Sequence, residues 1–197
     1  MHASTSSRVS GALPTPAPSR RRRAPTGLLA ALALLGLTAI PGCTTKPPAK
    51  VADPAQADEV IVHKSERRLE LRNNGQTFRQ YRVALGGAPR GHKVREGDQR
   101  TPEGEYVLNW RKPNSNFYKA IHISYPNRRD QMISQQLGHD PGGMIMLHGL
   151  PNYIQSERLR QEYASRDWTQ GCIAVQNHEM DEIWNLVPVG TPIRILP

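Results

Sequence analysis

Between residues 59 and 86 apolar and polar side chains trade places at nearly every step, and this period of two restricts the fold more than any other feature. "EVIVHKS" (59–65), "RRLELRN" (67–73) and "QTFRQYRVALG" (76–86) each carry it. Such alternation puts the apolar side chains on one face of a strand. "NNG" at 73–75 is a turn signal, so the second and third runs are expected to fold back on each other. "EYVLNW" (105–110), "AIHISYP" (120–126), "GMIMLHG" (143–149) and "TPIRILP" (191–197) are the further strands, with a loop rich in Gly, Asp and Pro at 86–104. Three segments read as helices. "RRDQMISQQLG" (128–138) stops at Gly138, and "SERLRQEYAS" (156–165) is weaker. "NHEMDEIWNLV" (177–187) places Asn177 as N-cap, acids in the first turns, and Met180, Ile183, Trp184 and Val187 on one face. The expected fold is mainly β, with a few short helices.

The chain divides into three parts. Arg20–Arg23 precede "GLLAALALLGLTAI" (27–40), an uncharged run too short for a comfortable membrane span and apolar all round. Residues 1–42 therefore read as an export signal. Its end, "AIPGC", resembles the lipobox of bacterial lipoproteins, which implies a lipid on Cys43 and anchorage to a membrane through it. Thr44 in place of aspartate resembles the outer-membrane sorting pattern, and the expected location is the cell envelope or periplasm. The alternative is ordinary cleavage, with Cys43 left as a free thiol. Residues 43–58 form a proline- and alanine-rich tether; its fifteen-odd residues, extended like polyproline, would span about 45 Å. Residues 59–197 are left for one domain with a core of its own.

Charge narrows the partners. The chain has 26 Lys and Arg against 17 Asp and Glu, a net of +9. Residues 1–42 hold five of those arginines and no acid; 26 less 5 leaves 21 against 17, or +4. The remaining charges are scattered among acids, so no nucleic-acid partner is expected. A modest positive surface suits an anionic cell wall.

The expected domain contains one cysteine, Cys172, in "RDWTQGCIAVQN" (166–177). In an exported, oxidising compartment a lone thiol is either a small buried apolar group or a nucleophile. Gly171 before it and the strand-like "CIAV" after it put the sulfur at a loop-to-strand junction, where free backbone amides can hold an oxyanion. His148 ends the apolar run "MIML" and precedes Gly149, so an imidazole base also sits at a strand edge.

"MLHG" followed by "TQGCIAV" is similar to the signature of the L,D-transpeptidases, the YkuD-type cysteine enzymes of bacterial cell walls. "GDQRTPEGEYVL" (97–108), "AIHISYPN" and "VPVGTPIRI" also resemble segments of that family, in order across 59–197. The resemblance implies an L,D-transpeptidase-like β-sandwich with Cys172 as nucleophile and His148 as base. It further implies that the Gly149 carbonyl orients the imidazole, that Gly171 and Cys172 supply oxyanion amides, and that Thr169 gives hydroxyl support. The implied substrate is the peptidoglycan stem tetrapeptide, acylating Cys172 with loss of terminal D-alanine. An amine from another stem or from a wall-attached protein then takes the acyl group. The scheme calls for no metal and no cofactor. Gln170 stands where many members have a second histidine, and Ala174 where Asn or Arg is common. The 20 residues between His148 and Thr169 are more than usual, which suggests a lid-like insertion with Tyr153 and Trp168 as aromatic walls. Arg166 and Arg160 are candidates to grip a substrate carboxylate in place of the missing side chain.

The other candidates have plainer readings. His122 alternates with Ile121 and Ile123, which fits a surface strand position or a groove wall. His178 begins a helix, and His63, His92 and His139 belong to no motif. No Cys/His pair has the close spacing of a zinc site. Asp98 and Glu103 flank a Thr-Pro turn, so a loop role is preferred to a carboxylate pair for glycan cleavage. Besides transpeptidase, two classes stay open: a hydrolase of the same fold, and a non-catalytic wall-binding module.

Overall fold

The computed structural model describes residues 56–197. The expected signal segment, Cys43 and all of the tether except residues 56–58 lie outside the described residues. The ordered domain begins before the expected boundary at 59. Ala57 is buried and donates its N–H to Leu186 O, and Asp58 N–H goes to Arg72 O.

Strand β1 (Glu59–His63) pairs antiparallel with β2 (Arg68–Asn73), and β2 with β3 (Gln76–Arg82). Asn73 pairs with Gln76, so only Asn74 and Gly75 make the turn, at φ 49° and 77°. Positive φ at both central residues is the turn whose twist suits a hairpin, and Asn-Gly is the sequence that reaches it most easily. β4 (Gly104–Ser115) and β5 (Tyr118–Ile123) form a second hairpin. A register shift at Asn109 in β4 leaves Trp110, not Asn109, opposite His122. Helix α1 (Arg128–Gln136) starts at Asn127, whose side chain accepts from the N–H groups of Arg129 and Asp130. β6 (Met146–His148), α2 (Glu157–Ser165), β7 (Ile173–Ala174), α3 (Asn177–Leu186) and β8 (Thr191–Leu196) complete the chain.

All eight strands lie in one sheet, in the order β3-β2-β1-β8-β4-β5-β6-β7, with β1/β8 and β6/β7 parallel. Its ends come together. Beyond β3, Ala84 and Ala174 exchange both backbone hydrogen bonds (2.8 and 2.9 Å), and Gly87 N–H reaches Thr169 O at 3.0 Å. The sheet therefore curls on itself, each outer strand covers the other's free edge, and the inner faces act as the two layers of a sandwich. The mainly β expectation holds. Val60, Val62, Leu69, Leu71, Ile121, Leu147, Ile173 and Ile193 line the inside. Helix α3 and its C-cap add Met180, Ile183 and Val187, each 0 % exposed and each worth about 2 kcal/mol as buried apolar surface.

Two local expectations are corrected. The N-cap of α3 is Gln176, whose N–H bonds Glu179 Oε2 at 2.8 Å. The Asn177 side chain is drawn away to accept from Leu150 N–H, also at 2.8 Å. The strand expected over 143–149 pairs only from 146, because Gly142 and Met144 take positive φ (69° and 55°) and turn the chain before it.

Candidate active site

The site sits where β6 and β7 run side by side. Leu147 pairs with Ile173 and His148 with Ala174; Leu147 and Ile173 point into the core. Their strand neighbours Met146, His148, Cys172 and Ala174 consequently share the outer face. Cys172 lies one step before the ladder, beside Met146. Its sulfur accepts from Met146 N–H at 3.4 Å and lies 3.7 Å from Met144 O. From strand geometry, Cys172 and His148 are about 8 Å apart at Cα, with side chains on one face.

His148 is 3 % exposed. Its Nδ1 lies 2.6 Å from Gly149 O, and since a carbonyl only accepts, the ring proton is on Nδ1 and Nε2 holds the free lone pair. Burial pushes the imidazole pKa down to about 4, against a smaller upward pull from the Gly149 hydrogen bond. Burial likewise pushes the Cys172 thiol up, opposed by Met146 N–H and by the positive charge of Lys93. Both shifts favour the neutral forms of the thiol and the imidazole.

Gly149 has no room for another residue. A Cβ there would lie 2.7 Å from Asn177 Oδ1 and 2.9 Å from Tyr118 Cβ. Its N–H is shared between Phe117 O and Lys119 O. Asn177, Leu150 and the β4–β5 hairpin together hold the carbonyl that holds the histidine.

Thr169 organises the turn before the sulfur. Its buried hydroxyl accepts from Gly171 N–H at 3.1 Å and donates to Cys172 O at 2.7 Å. Gly171 N–H, expected as one of two oxyanion donors, is therefore already engaged. Cys172 N–H has no acceptor among the described residues and remains available. Gly171 itself takes φ 120° and backs onto Arg100 O, which a Cβ would approach to 2.6 Å. That segment is set by Asp98, which accepts from Val94, Arg95 and Arg100 N–H and from Lys93 Nζ, the last at 2.8 Å. The Lys93–Asp98 pair is 3 % and 6 % exposed. Glu103 is taken by Lys64 Nζ at 2.8 Å. Both carboxylates considered for glycan cleavage are therefore loop braces.

Aromatic rings cover the imidazole. Phe117 lies 4.6 Å from the His148 ring and Trp168 5.8 Å, edge on. Trp168 thus packs beside the imidazole. Tyr153 is 71 % exposed and meets Tyr163 OH at 3.2 Å. Arg166 lies over the Tyr163 ring and pairs with Glu162. Tyr163 in turn meets Trp168 at 5.1 Å, which links α2 to the rings beside His148. Arg160 lines a cavity of about 670 Å³ between α2 and the start of α3, with Tyr118, Gln176, Asn177 and His178. His122 stands on the outer face, opposite Met146. Gln170 is exposed, whereas Ala174 is 2 % exposed and bridges Ala84 through the backbone. Among the described residues no three His, Cys, Asp or Glu side chains converge as a metal would need. Phe117, Tyr163, Lys93 and the bidentate Arg67–Asp167 pair, which anchors the approach to Thr169 through Leu85 N–H, were not singled out from the sequence.

Known proteins carry the same domain. The L,D-transpeptidase catalytic domain family YkuD matches residues 57–195. The Escherichia coli (strain K12) protein named "Putative L,D-transpeptidase YafK" is 31 % identical over 134 residues, covering 65 % of this chain and 46 % of its own. The Campylobacter jejuni helical cell shape determining protein Pgp2, in a K307A mutant structure, superposes with a TM-score of 0.53 at 24 % identity, covering 70 % of this chain and 46 % of that one. Its unmutated form gives 0.52 at 23 %. The Pgp2 likeness concerns the fold alone, and the chain spans about half the length of these relatives. With the family matched over nearly all of the described residues, this chain belongs to the YkuD L,D-transpeptidase catalytic domain family.

Proposed function

We propose that this domain is a peptidoglycan L,D-transpeptidase working by covalent acyl transfer through Cys172. The observation that carries the reading is the locked tautomer of His148: Nδ1–H is committed to Gly149 O, leaving Nε2 as acceptor on the face that Cys172 shares. Nε2 takes the thiol proton as sulfur attacks the carbonyl of the third residue of a stem tetrapeptide. Cys172 N–H receives the oxyanion; loss of such a donor typically costs about 10²–10³ in rate. The bond to D-alanine breaks, its amine leaving with the proton from His148, and a thioester remains. An acceptor amine then attacks the thioester, passes its proton to Nε2, and the sulfur leaves and is reprotonated. The product is a cross-link or a wall-attached protein.

The favoured neutral forms support general-base activation on substrate arrival. They also leave the free thiol less exposed to oxidation in an exported compartment. Export to the envelope, with a lipid on Cys43 and a tether to reach the wall, completes the proposal and rests on residues 1–58 of the sequence. Incubation with a carbapenem, read by intact mass, tests the nucleophile. An adduct is expected on the native domain, with none on Cys172→Ala and nearly none on His148→Ala, both still folded. Full activity in Cys172→Ala would refute the assignment. Muropeptide analysis of products then separates transfer from hydrolysis by the same fold.

A further inference from the structure

One register row crosses the outer face of the sheet and ends at the sulfur. Trp110 pairs with His122 across β4 and β5, His122 with Met146 across β5 and β6, and Met146 lies beside Cys172. The register shift at Asn109 is what brings Trp110 into this row, since without it the indole would fall out of step with His122. The indole and imidazole are stacked at 4.8 Å with 12° between their planes. His122 Nδ1 meets Asn109 Oδ1 at 2.7 Å, which fixes the ring. Trp110 remains 37 % exposed, although a large aromatic on a sheet surface gains most when buried. Flat exposed rings with polar groups at the rim stack on the C–H face of a pyranose.

We propose that Trp110 and His122 form a saccharide subsite, binding an N-acetylated pyranose of the glycan that carries the donor stem. This rests on the reading that Cys172 is acylated by a stem peptide. Three strand spacings separate Trp110 from Cys172, or about 14 Å. From the reacting carbonyl back to the sugar lie the third residue, a side-chain-linked glutamate and one alanine, which extended reach about 12 Å. A stem laid along the row from Cys172 therefore delivers its sugar to the rings. The lowered pKa of His122, caused by burial, keeps the imidazole neutral and suited to stacking and hydrogen bonding with a sugar hydroxyl. The row reaches the proposed nucleophile through Met146, which is buried, and Trp110 is its exposed ring, with His122 half-buried beside it; the His148 end of the face is covered by Phe117 and Trp168.

The test is calorimetric binding to the Cys172→Ala protein, so that turnover plays no part, comparing a disaccharide-tetrapeptide with the free tetrapeptide. The sugar-bearing ligand is expected to bind about tenfold tighter, as one aromatic stack provides. Trp110→Ala should erase that preference without weakening the free peptide, and Trp110→Phe should keep most of it. Equal affinity for the two ligands, a preference that survives Trp110→Ala, or no binding of either overturns the subsite. The transpeptidase reading is judged separately, by adduct formation on Cys172 in the native protein. A protein that forms the adduct but shows no sugar preference keeps the function and loses the subsite.

Discussion

Replacing Thr169 by valine keeps the shape of a buried side chain and removes its hydroxyl. Two hydrogen bonds go with it, from Gly171 N–H (3.1 Å) and to Cys172 O (2.7 Å). Thr169 is 4 % exposed, so water cannot readily replace them. A buried polar group left without a partner costs about 1–3 kcal/mol, and with partial relaxation of the turn the loss should be about 3 kcal/mol. For a domain of this size that lowers Tm by about 10 °C. The same turn aims Cys172 N–H, so carbapenem acylation should slow by about 10²-fold, within the range for a misplaced oxyanion donor. Thr169→Ser restores the hydroxyl and should recover most of both losses. Thermal unfolding and stopped-flow acylation are the assays. An unchanged Tm with an unchanged rate would refute the role given to Thr169. Faster acylation would show instead that Gly171 N–H, once released, is the better oxyanion donor.

Acid should weaken the domain through His148. Its folded pKa of about 4 lies below the ordinary 6.5, so the unfolded chain binds the extra proton first; stability is full above about 6.5 and declines as pH falls towards 4. The full loss is about 3 kcal/mol, and His148→Gln should flatten that part of a chemical-denaturation series across pH. Acylation, which needs neutral His148, should hold down to about pH 5 in the free protein if the imidazole titrates where its burial places it. Asp98→Asn leaves the Lys93 ammonium buried and loosens the segment behind Gly171. A loss of about 3–5 kcal/mol is expected by urea unfolding, and a surface-like cost under 1 kcal/mol would contradict the buried pairing.

What could be read from the residues was local or periodic. The hairpin at Asn74–Gly75 needs only its own two residues, and the buried face of α3 needs only its spacing of three and four. The pairing of His148 with Gly149 O is between neighbours, so a family signature holds it. The Thr169–Gly171 bond is also local, a hydroxyl two residues from the amide it accepts, and the resemblance implied hydroxyl support from Thr169 without its partners. Other features came from contacts far apart in the chain. Asn177 leaves the cap position because Leu150, 27 residues earlier, takes its oxygen. Phe117 reaches His148 only because one hairpin folds over the end of β6. Alternation put His122 on the face away from Ile121 and Ile123; it did not reveal that Trp110, Met146 and Cys172 lie in the same row. That depends on strand order and on one register shift.

The most direct test of the acyl-transfer account is a single turnover of a stem tetrapeptide with the purified domain, quenched and weighed intact. A tripeptide acyl group on Cys172, appearing with one equivalent of free D-alanine and absent from Cys172→Ala, is the predicted result. Release of D-alanine that persists without the Cys172 sulfur would contradict it.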